Sequence, residues 1–188
     1  MTSLFDILQC DDLCNYLFKF LIVDEINLSI YVLKFVCTSF LAIVRSKQFS
    51  KSKQCKFCLE AASNGNVKLL EWVRNVGLPW DERVCSNAAS NGHLEVLKWA
   101  HQNGCSWDEW TCAYAAQNGH LEILKWAHQN GCPWNELTCA YAALNGHLEI
   151  LKWARENGCP WDVWTCKNAA NSGHWEVLKW AKEHGCEE

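Results

Sequence analysis

Apolar and polar residues follow a pattern that repeats at a constant interval along this chain, from residue 52 to residue 186. Tryptophan, cysteine and glycine recur at fixed places in the pattern. These places are Trp80, Trp107, Trp134 and Trp161; Cys105, Cys132, Cys159 and Cys186; and Gly65, Gly92, Gly119, Gly146 and Gly173. A fixed period of this size is typical of a stacked array of structural repeats. The sequence therefore predicts five units of equal length without gaps, which are residues 52–78, 79–105, 106–132, 133–159 and 160–186.

Each unit carries the signals of two short helices, as residues 106–132 illustrate. Asp108 is a good N-cap because its carboxylate can accept hydrogen bonds from the free amides of a first helical turn. The first helix is predicted to end at about Gln117, because Asn118 and Gly119 favour a turn in which glycine tolerates positive φ.

The second helix of this unit is predicted from His120 to about Asn130, with Gly131 in the place of a C-cap glycine. Its apolar residues recur at helical spacing and form one stripe. These residues are Leu121, Leu124 and Ala127 or His128. Helices of about ten residues cannot bury such a stripe alone, whereas stacking on neighbouring units can. The predicted fold is therefore all-α, a helical repeat solenoid that follows a small N-terminal helical unit.

Residues 92–105, GHLEVLKWAHQNGC, closely resemble the second helix of an ankyrin repeat, whose pattern is GHLEVVKYLLENGA. Paired alanines match the small residues of the ankyrin first helix, at Ala88-Ala89, Ala115-Ala116, Ala142-Ala143 and Ala169-Ala170. The resemblance covers residues 52–186 and implies a curved stack of helix pairs that binds proteins without catalysis. The units are about six residues shorter than usual. A short Pro-Trp-Asp linker replaces the projecting hairpin, as in similar arrays of large DNA viruses, algae and oomycetes.

Residues 1–50 resemble an F-box, the short helical motif that docks on the Skp-type adaptor of cullin ubiquitin ligases. Residues 11–21 give one helical stripe, and Val36, Cys37 and Phe40 match the V-C-x-x-F part of the motif. The resemblance implies that five apolar residues face the adaptor, namely Leu13, Leu17, Leu21, Val36 and Phe40. The alternative is that residues 1–50 form only a helical cap over the first repeat.

The chain has 13 cysteines, but their spacing does not favour a metal site. Cys55 and Cys58 form the single close C-x-x-C, and no second pair stands at zinc-finger spacing. Equivalent cysteines of neighbouring units are too far apart for disulfides, because stacked helices lie about 8–10 Å apart and a disulfide needs Cα atoms within about 7 Å. We expect buried, reduced thiols, no metal and no cofactor. The expected location is the cytoplasm or nucleus, or the host-cell cytoplasm if the chain is viral.

Neither an enzyme, nor a nucleic-acid-binding protein, nor a membrane protein is indicated. The histidines after the turn glycines are expected to hydrogen-bond neighbouring loops, and nothing places them beside a nucleophile. They are His93, His120, His147 and His174. A formal net charge of −4 argues against nucleic acid, which needs clustered Lys and Arg. Charged residues interrupt the apolar run from Leu13 to Val44, so no membrane span is predicted.

If the repeated positions are scaffold, the positions that vary between units are candidates for binding. On the first helix these are the fifth, eighth, ninth and twelfth positions of the unit, which share one face. The candidate partner-binding residues are Arg83, Trp110, Tyr114, Gln117, Leu137, Tyr141, Leu144 and Trp164. Aromatic residues and arginine dominate binding hot spots, so we expect a partner protein on this concave side. The alternative is that Trp110 and Tyr114 only cover neighbouring helices.

These patterns favour a protein that binds other proteins. The leading hypothesis is a substrate receptor of a cullin-type ubiquitin ligase, in which residues 1–50 bind the adaptor and the repeats bind a target. The alternative is an ankyrin scaffold or decoy whose residues 1–50 are only a cap.

Overall fold

The structure is a computed structural model that describes residues 58–75 and 77–186. These residues belong to a compact unit spanning Lys51–Glu188, and Met1–Ser50 form a separate unit. The F-box-like prediction falls outside the described residues and stays a prediction. The same holds for its adaptor-facing residues, Leu13, Leu17, Leu21, Val36 and Phe40. Within the described residues every regular element is an α-helix, so the predicted all-α class is confirmed.

Ten helical segments follow one another in the described part of the chain. They are α1 (described over 58–63), α2 (Val67–Asn75), α3 (Arg83–Ser90), α4 (Leu94–Gln102), α5 (Glu109–Gln117), α6 (Leu121–Gln129), α7 (Glu136–Leu144), α8 (Leu148–Glu156), α9 (Val163–Asn171) and α10 (Trp175–Glu183). Odd-numbered helices are the first helices of their units and even-numbered helices are the second. The period of the sequence is also the period of the helices, because the second helices all begin at equivalent residues of successive units.

The helix ends of residues 106–132 lie within about one residue of their predicted places. Helix α5 ends at Gln117 and α6 spans Leu121–Gln129. Gly119 and Gly131 adopt φ values of 82° and 84°, in the left-handed region that favours glycine. Local turn chemistry therefore fixes these helix boundaries.

The core lies where the first helices pack on one another and where each second helix packs on the first helix of its own unit. Small residues allow the first helices to approach closely. The paired alanines of the middle units are all fully buried, at Ala88, Ala89, Ala115, Ala116, Ala142 and Ala143. The predicted stripe of α6 is only partly correct. Leu124 and Ala127 are buried, but Leu121 is half-buried and Ile123 takes its place, because the buried face of α6 is centred on Ala127 and Leu121 lies at its edge.

Three of the four turn histidines join successive units by hydrogen bonds, as predicted. His93 Nε2 lies 3.0 Å from the carbonyl oxygen of Ser63, and His147 Nε2 lies 3.1 Å from that of Gln117. His120 makes the equivalent contact at 3.2 Å. Each bond spans 30 residues of sequence and ties the turn of one unit to the turn of the next.

Tryptophans form packing layers along the stack, as expected for scaffold residues. The Trp107 ring is stacked on His101 of the preceding unit at 3.7 Å between centroids, and it meets the edge of Trp126 at 5.8 Å. The same layer recurs one unit later around Trp134. Arginine replaces histidine beside Trp80 and Trp161, where the guanidinium carbon lies 4.2 and 4.1 Å from the ring centroid.

Cysteines within one unit contact each other, in addition to recurring at equivalent positions of successive units. A hydrogen bond with Cys85, together with burial, raises the pKa of the Cys105 thiol. Bonds with Cys112 and Cys159, again with burial, raise the pKa of the Cys132 and Cys139 thiols. All cysteines in the described residues are buried, as small hydrophobic residues would be, and form no disulfide.

Candidate functional site

Three aromatic side chains on the first helices form a cluster that we call the aromatic patch: Trp110, Tyr114 and Tyr141. The ring centroids of Trp110 and Tyr114 are 5.4 Å apart. Tyr141 lies 6.3 Å from Trp110 and 6.4 Å from Tyr114, and the two tyrosine rings are inclined by only 10°. All three side chains are half-buried, so each retains surface that another molecule could contact.

The helical repeat explains why these three rings meet. Trp110 stands in the first turn of α5, and Tyr114 follows four residues later on the same face. Tyr141 is the residue of α7 that corresponds to Tyr114, one unit further along the chain. Because α5 and α7 pack directly on each other, a residue repeated at one position becomes a pair of neighbouring rings.

The remaining predicted residues surround the patch or lie in the outer units. Gln117, Leu137 and Leu144 are half-buried on α5 and α7. The carbonyl oxygen of Gln117 accepts hydrogen bonds from the next turn, through Asn145 Nδ2 at 2.6 Å and His147 Nε2 at 3.1 Å. Gln117 therefore lies at the end of this face that is next to the turns.

Arg83 and Trp164 are exposed in the units on either side. The Arg83 guanidinium forms an ion pair with Asp81 at 2.7 Å. Trp164 is 56% exposed, and Lys167 Nζ lies 5.3 Å from the centroid of its ring. The ring contacts in the described residues thus bring together Trp110, Tyr114 and Tyr141, while Arg83 and Trp164 engage partners in their own units.

One predicted position does not belong to this face. The eighth position of the unit is buried in three units, with Ser86 at 6%, Ala113 at 0% and Ala140 at 2% exposure. This part of the prediction is wrong because the first helices pack on one another through these small residues. The face therefore comprises the fifth, ninth and twelfth positions of the central units.

Two glutamates stand next to residues of this face in the sequence. Glu109 and Glu136 stand in the first turns of α5 and α7, directly before Trp110 and Leu137. Residues 106–118 and 133–145 together contain three acidic residues and no Lys or Arg. These acidic residues were not among the predicted site residues, although the sequence shows that the two segments lack Lys and Arg.

Asp108 is the most constrained of these carboxylates. It occupies the N-cap of α5 but makes no capping hydrogen bond, and its Oδ1 is buried without a hydrogen-bond partner. The predicted N-cap position is therefore correct, but the side-chain capping bond that Asn135 and Asp162 accept at α7 and α9 is not formed at α5. Burial raises the pKa of the Asp108 carboxyl, and the charges of Glu109 and Glu82 add to the effect.

The described residues hold no group of three or more His, Cys, Asp or Glu side chains arranged to bind a metal ion. Three of the turn histidines are engaged with backbone carbonyl groups, as described above. None of the helices in residues 58–75 and 77–186 has the length and apolar character that a membrane span requires.

A family model of ankyrin repeats, described as present in many copies, matches residues 85–128 and again residues 112–155. The first match begins at Cys85 and the second at Cys112, which is the equivalent residue one unit later. Comparison with curated proteins gives no match. Ankyrin repeat proteins are typically interaction scaffolds rather than enzymes. Residues 85–155 of this chain are therefore similar to ankyrin repeats.

Proposed function

We propose that the protein binds a partner protein through the first-helix face of its central units, with the aromatic patch at the centre of the contact. The observation that carries this proposal is the cluster of Trp110, Tyr114 and Tyr141 with centroids 5.4 to 6.4 Å apart and each ring partly exposed. Hot spots in protein interfaces are rich in Trp and Tyr and are surrounded by groups that exclude water. Leu137 and Leu144 could supply such surroundings.

The competing interpretation is that these rings only cover neighbouring helices. The two interpretations differ in what truncation of Trp110 or Tyr141 does. We expect Trp110→Ala and Tyr141→Ala to weaken partner binding by about tenfold or more. We expect each to lower the free energy of unfolding by less than about 2 kcal/mol, because both side chains are only half-buried.

The test starts with the full chain as bait and identifies bound proteins by mass spectrometry. The affinity of the recovered partner is then titrated against both alanine variants, and urea unfolding of each variant is recorded in parallel. Trp175→Ala is a suitable control, because Trp175 is 68% exposed but lies on a second helix. Unchanged partner affinity for Trp110→Ala, together with a large loss of stability, would favour the covering role.

The finer proposal is that the protein is the substrate receptor of a cullin-type ubiquitin ligase, active in the cytoplasm or nucleus, or in the host-cell cytoplasm if the chain is viral. It is supported by the F-box-like order of apolar residues in 1–50 and by the position of the repeats after them. A plain ankyrin scaffold or decoy remains the alternative.

Co-purification of the full chain with the Skp-type adaptor tests this proposal. Leu17→Glu should abolish a stoichiometric complex, since Leu17 is one of the residues expected to face the adaptor. Asn15→Glu adds the same single negative charge two residues away, at a position outside that set, and should leave the complex intact. Absence of the complex with the unmodified chain would leave the scaffold as the better description.

A further inference from the structure

The charge around the aromatic patch is one-sided. Asp108, Glu109 and Glu136 are the charged residues of segments 106–118 and 133–145. By contrast, the second helices of the same two units carry paired charges. Lys125 Nζ lies 2.9 Å from Glu122 Oε1, and Lys152 Nζ lies 3.0 Å from Glu149 Oε1. The carboxylates on the second-helix side therefore have cations within the chain, whereas the first-helix segments of these units contain none.

The last unit shows a cation over the tryptophan that corresponds to Trp110. In the last unit, Lys167 Nζ lies 5.3 Å over the ring of Trp164. Trp110 is the residue that corresponds to Trp164, and Ala113 is the residue that corresponds to Lys167. The central unit thus keeps the aromatic ring of this pair, while the position of its cation is occupied by Ala113, which is buried where the first helices pack.

Cations over tryptophan rings are a repeated feature of this protein. Arg74 lies over Trp80 and Arg155 lies over Trp161, with 4.2 and 4.1 Å between the guanidinium carbon and the ring centroid. A cation over an aromatic face is attracted by the ring quadrupole. The carboxylates of Glu109 and Glu136 would add charge attraction for such a cation. This attraction is strongest for a guanidinium, because it can donate two N–H groups to one carboxylate.

We infer that the first-helix face of the two central units takes a basic segment of its partner, with an arginine or lysine side chain against the aromatic patch and its charge attracted by Glu109 and Glu136 in the first turns of α5 and α7. This inference rests on the proposed function, because it names the chemistry of the partner at the same face.

The test measures binding of a fluorescein-labelled peptide of alternating arginine and serine to the full chain, by fluorescence anisotropy. A second peptide carries citrulline, the uncharged analogue of arginine, at every arginine position. We expect the arginine peptide to bind and the citrulline peptide to bind at least about tenfold more weakly. Affinity should also fall as the salt concentration is raised to about 0.15 M and above.

Two matched pairs of variants locate the site. Glu109→Gln with Glu136→Gln should weaken binding of the arginine peptide about tenfold. Glu122→Gln with Glu149→Gln makes the same change of charge on the second helices of the same units, and should weaken it less than about twofold. Trp110→Leu should weaken binding roughly fivefold through loss of the ring face. Trp175→Leu removes an exposed tryptophan elsewhere and should have little effect.

Equal weakening by the two glutamine pairs would overturn the inference, since it would mean that the peptide responds only to net charge. Equal binding of the citrulline peptide would also overturn it, while leaving this face as the binding surface. If the unmodified chain binds neither peptide, the basic partner is ruled out. The proposed function is then still decided separately, by whether Trp110→Ala releases the partner recovered from cells.

Discussion

The imidazole ring of His147 lies directly against Gly119 of the preceding unit. A Cβ atom at Gly119 would come within 2.9 Å of His147 Cε1, closer than carbon atoms normally approach. The missing side chain lets His147 Nε2 reach the carbonyl oxygen of Gln117 at 3.1 Å. Gly119 also has a φ of 82°, so one residue both turns the chain and seats the histidine of the next unit. The same close approach of a histidine ring to a turn glycine recurs at Gly65 with His93, Gly92 with His120, and Gly146 with His174.

Gly119→Ala should therefore destabilise the protein more than the backbone strain alone would. Gly131→Ala is the matched control, because Gly131 has a φ of 84° and nothing lies within 4 Å of its added Cβ. We expect Gly131→Ala to cost about 1–2 kcal/mol and Gly119→Ala at least about 1 kcal/mol more. Urea unfolding of both variants measures the difference. Equal losses of unfolding free energy in the two variants would show that the close approach of His147 adds no cost to Gly119→Ala.

The buried thiols predict a loss of stability at alkaline pH. The pKa values of Cys105, Cys132 and Cys139 are raised in the folded chain, so these thiols keep their protons when the thiols of the unfolded chain have lost theirs. The contribution is therefore fully present below the ordinary thiol pKa of about 8.5–9 and falls as pH rises above it. Each thiol should contribute a slope of at most about 1.4 kcal/mol per pH unit.

Urea unfolding at several pH values between about 7 and 10 measures this slope. Cys132→Ala removes one buried thiol and should therefore remove the contribution of one thiol to the slope of unfolding free energy against pH. This expectation does not depend on how the substitution changes stability at neutral pH. An unchanged slope in Cys132→Ala would mean that its thiol ionises equally easily in the folded and unfolded chains.

Arg155 should stabilise the junction between the fourth and fifth units. Its guanidinium lies 4.1 Å from the Trp161 ring centroid, and its Nη1 donates a hydrogen bond to the carbonyl oxygen of Cys159. We expect Arg155→Ala to lower the free energy of unfolding by about 1–2 kcal/mol. Lys167→Ala removes a cation over exposed Trp164 and should cost less than about 0.5 kcal/mol. The prediction fails if the two losses measured by urea unfolding are the same.

Asp108→Asn should be neutral or slightly stabilising at neutral pH, by less than about 1 kcal/mol, since Asn and Asp are about equally good N-caps. The raised pKa of Asp108 means that its ionised form is disfavoured in the folded chain, so asparagine removes a cost. This cost is present above the unfolded pKa of about 4 and disappears at lower pH, where Asp108 is protonated. Any gain should therefore vanish near pH 3 in thermal or urea unfolding. Asp162→Asn serves as the control, because the Asp162 carboxylate does accept its capping bond.

Local chemistry explains why the helices could be predicted from the sequence. The helices end at Gln117 and Gln129 because Asn-Gly turns follow, in which the glycine takes a positive φ. Such turns depend only on residues that are close together in the sequence. The bonds from the turn histidines could be anticipated for a related reason. A contact that recurs in successive units leaves its signature at a fixed interval, as His93, His120 and His147 show.

The composition of the site was only partly predictable. The sequence correctly placed Trp110, Tyr114 and Tyr141 on one face, because helical spacing determines which residues of a helix are neighbours. Their mutual contact depends on the packing of α5 against α7, and so does the burial of Ala113 and Ala140 at the position expected to be exposed.

The sequence by itself determined the period of this protein, the limits of its helices and the residue types at each repeated position, because all of these depend on interactions within a few residues or on exact repetition. Only the tertiary structure decided that Ile123 rather than Leu121 is buried, that Cys112 meets Cys132 within one unit, and that Asp108 is left without a capping bond. These outcomes depend on distances between helices that are far apart in sequence, and such distances are set by how side chains fill the space between the helices.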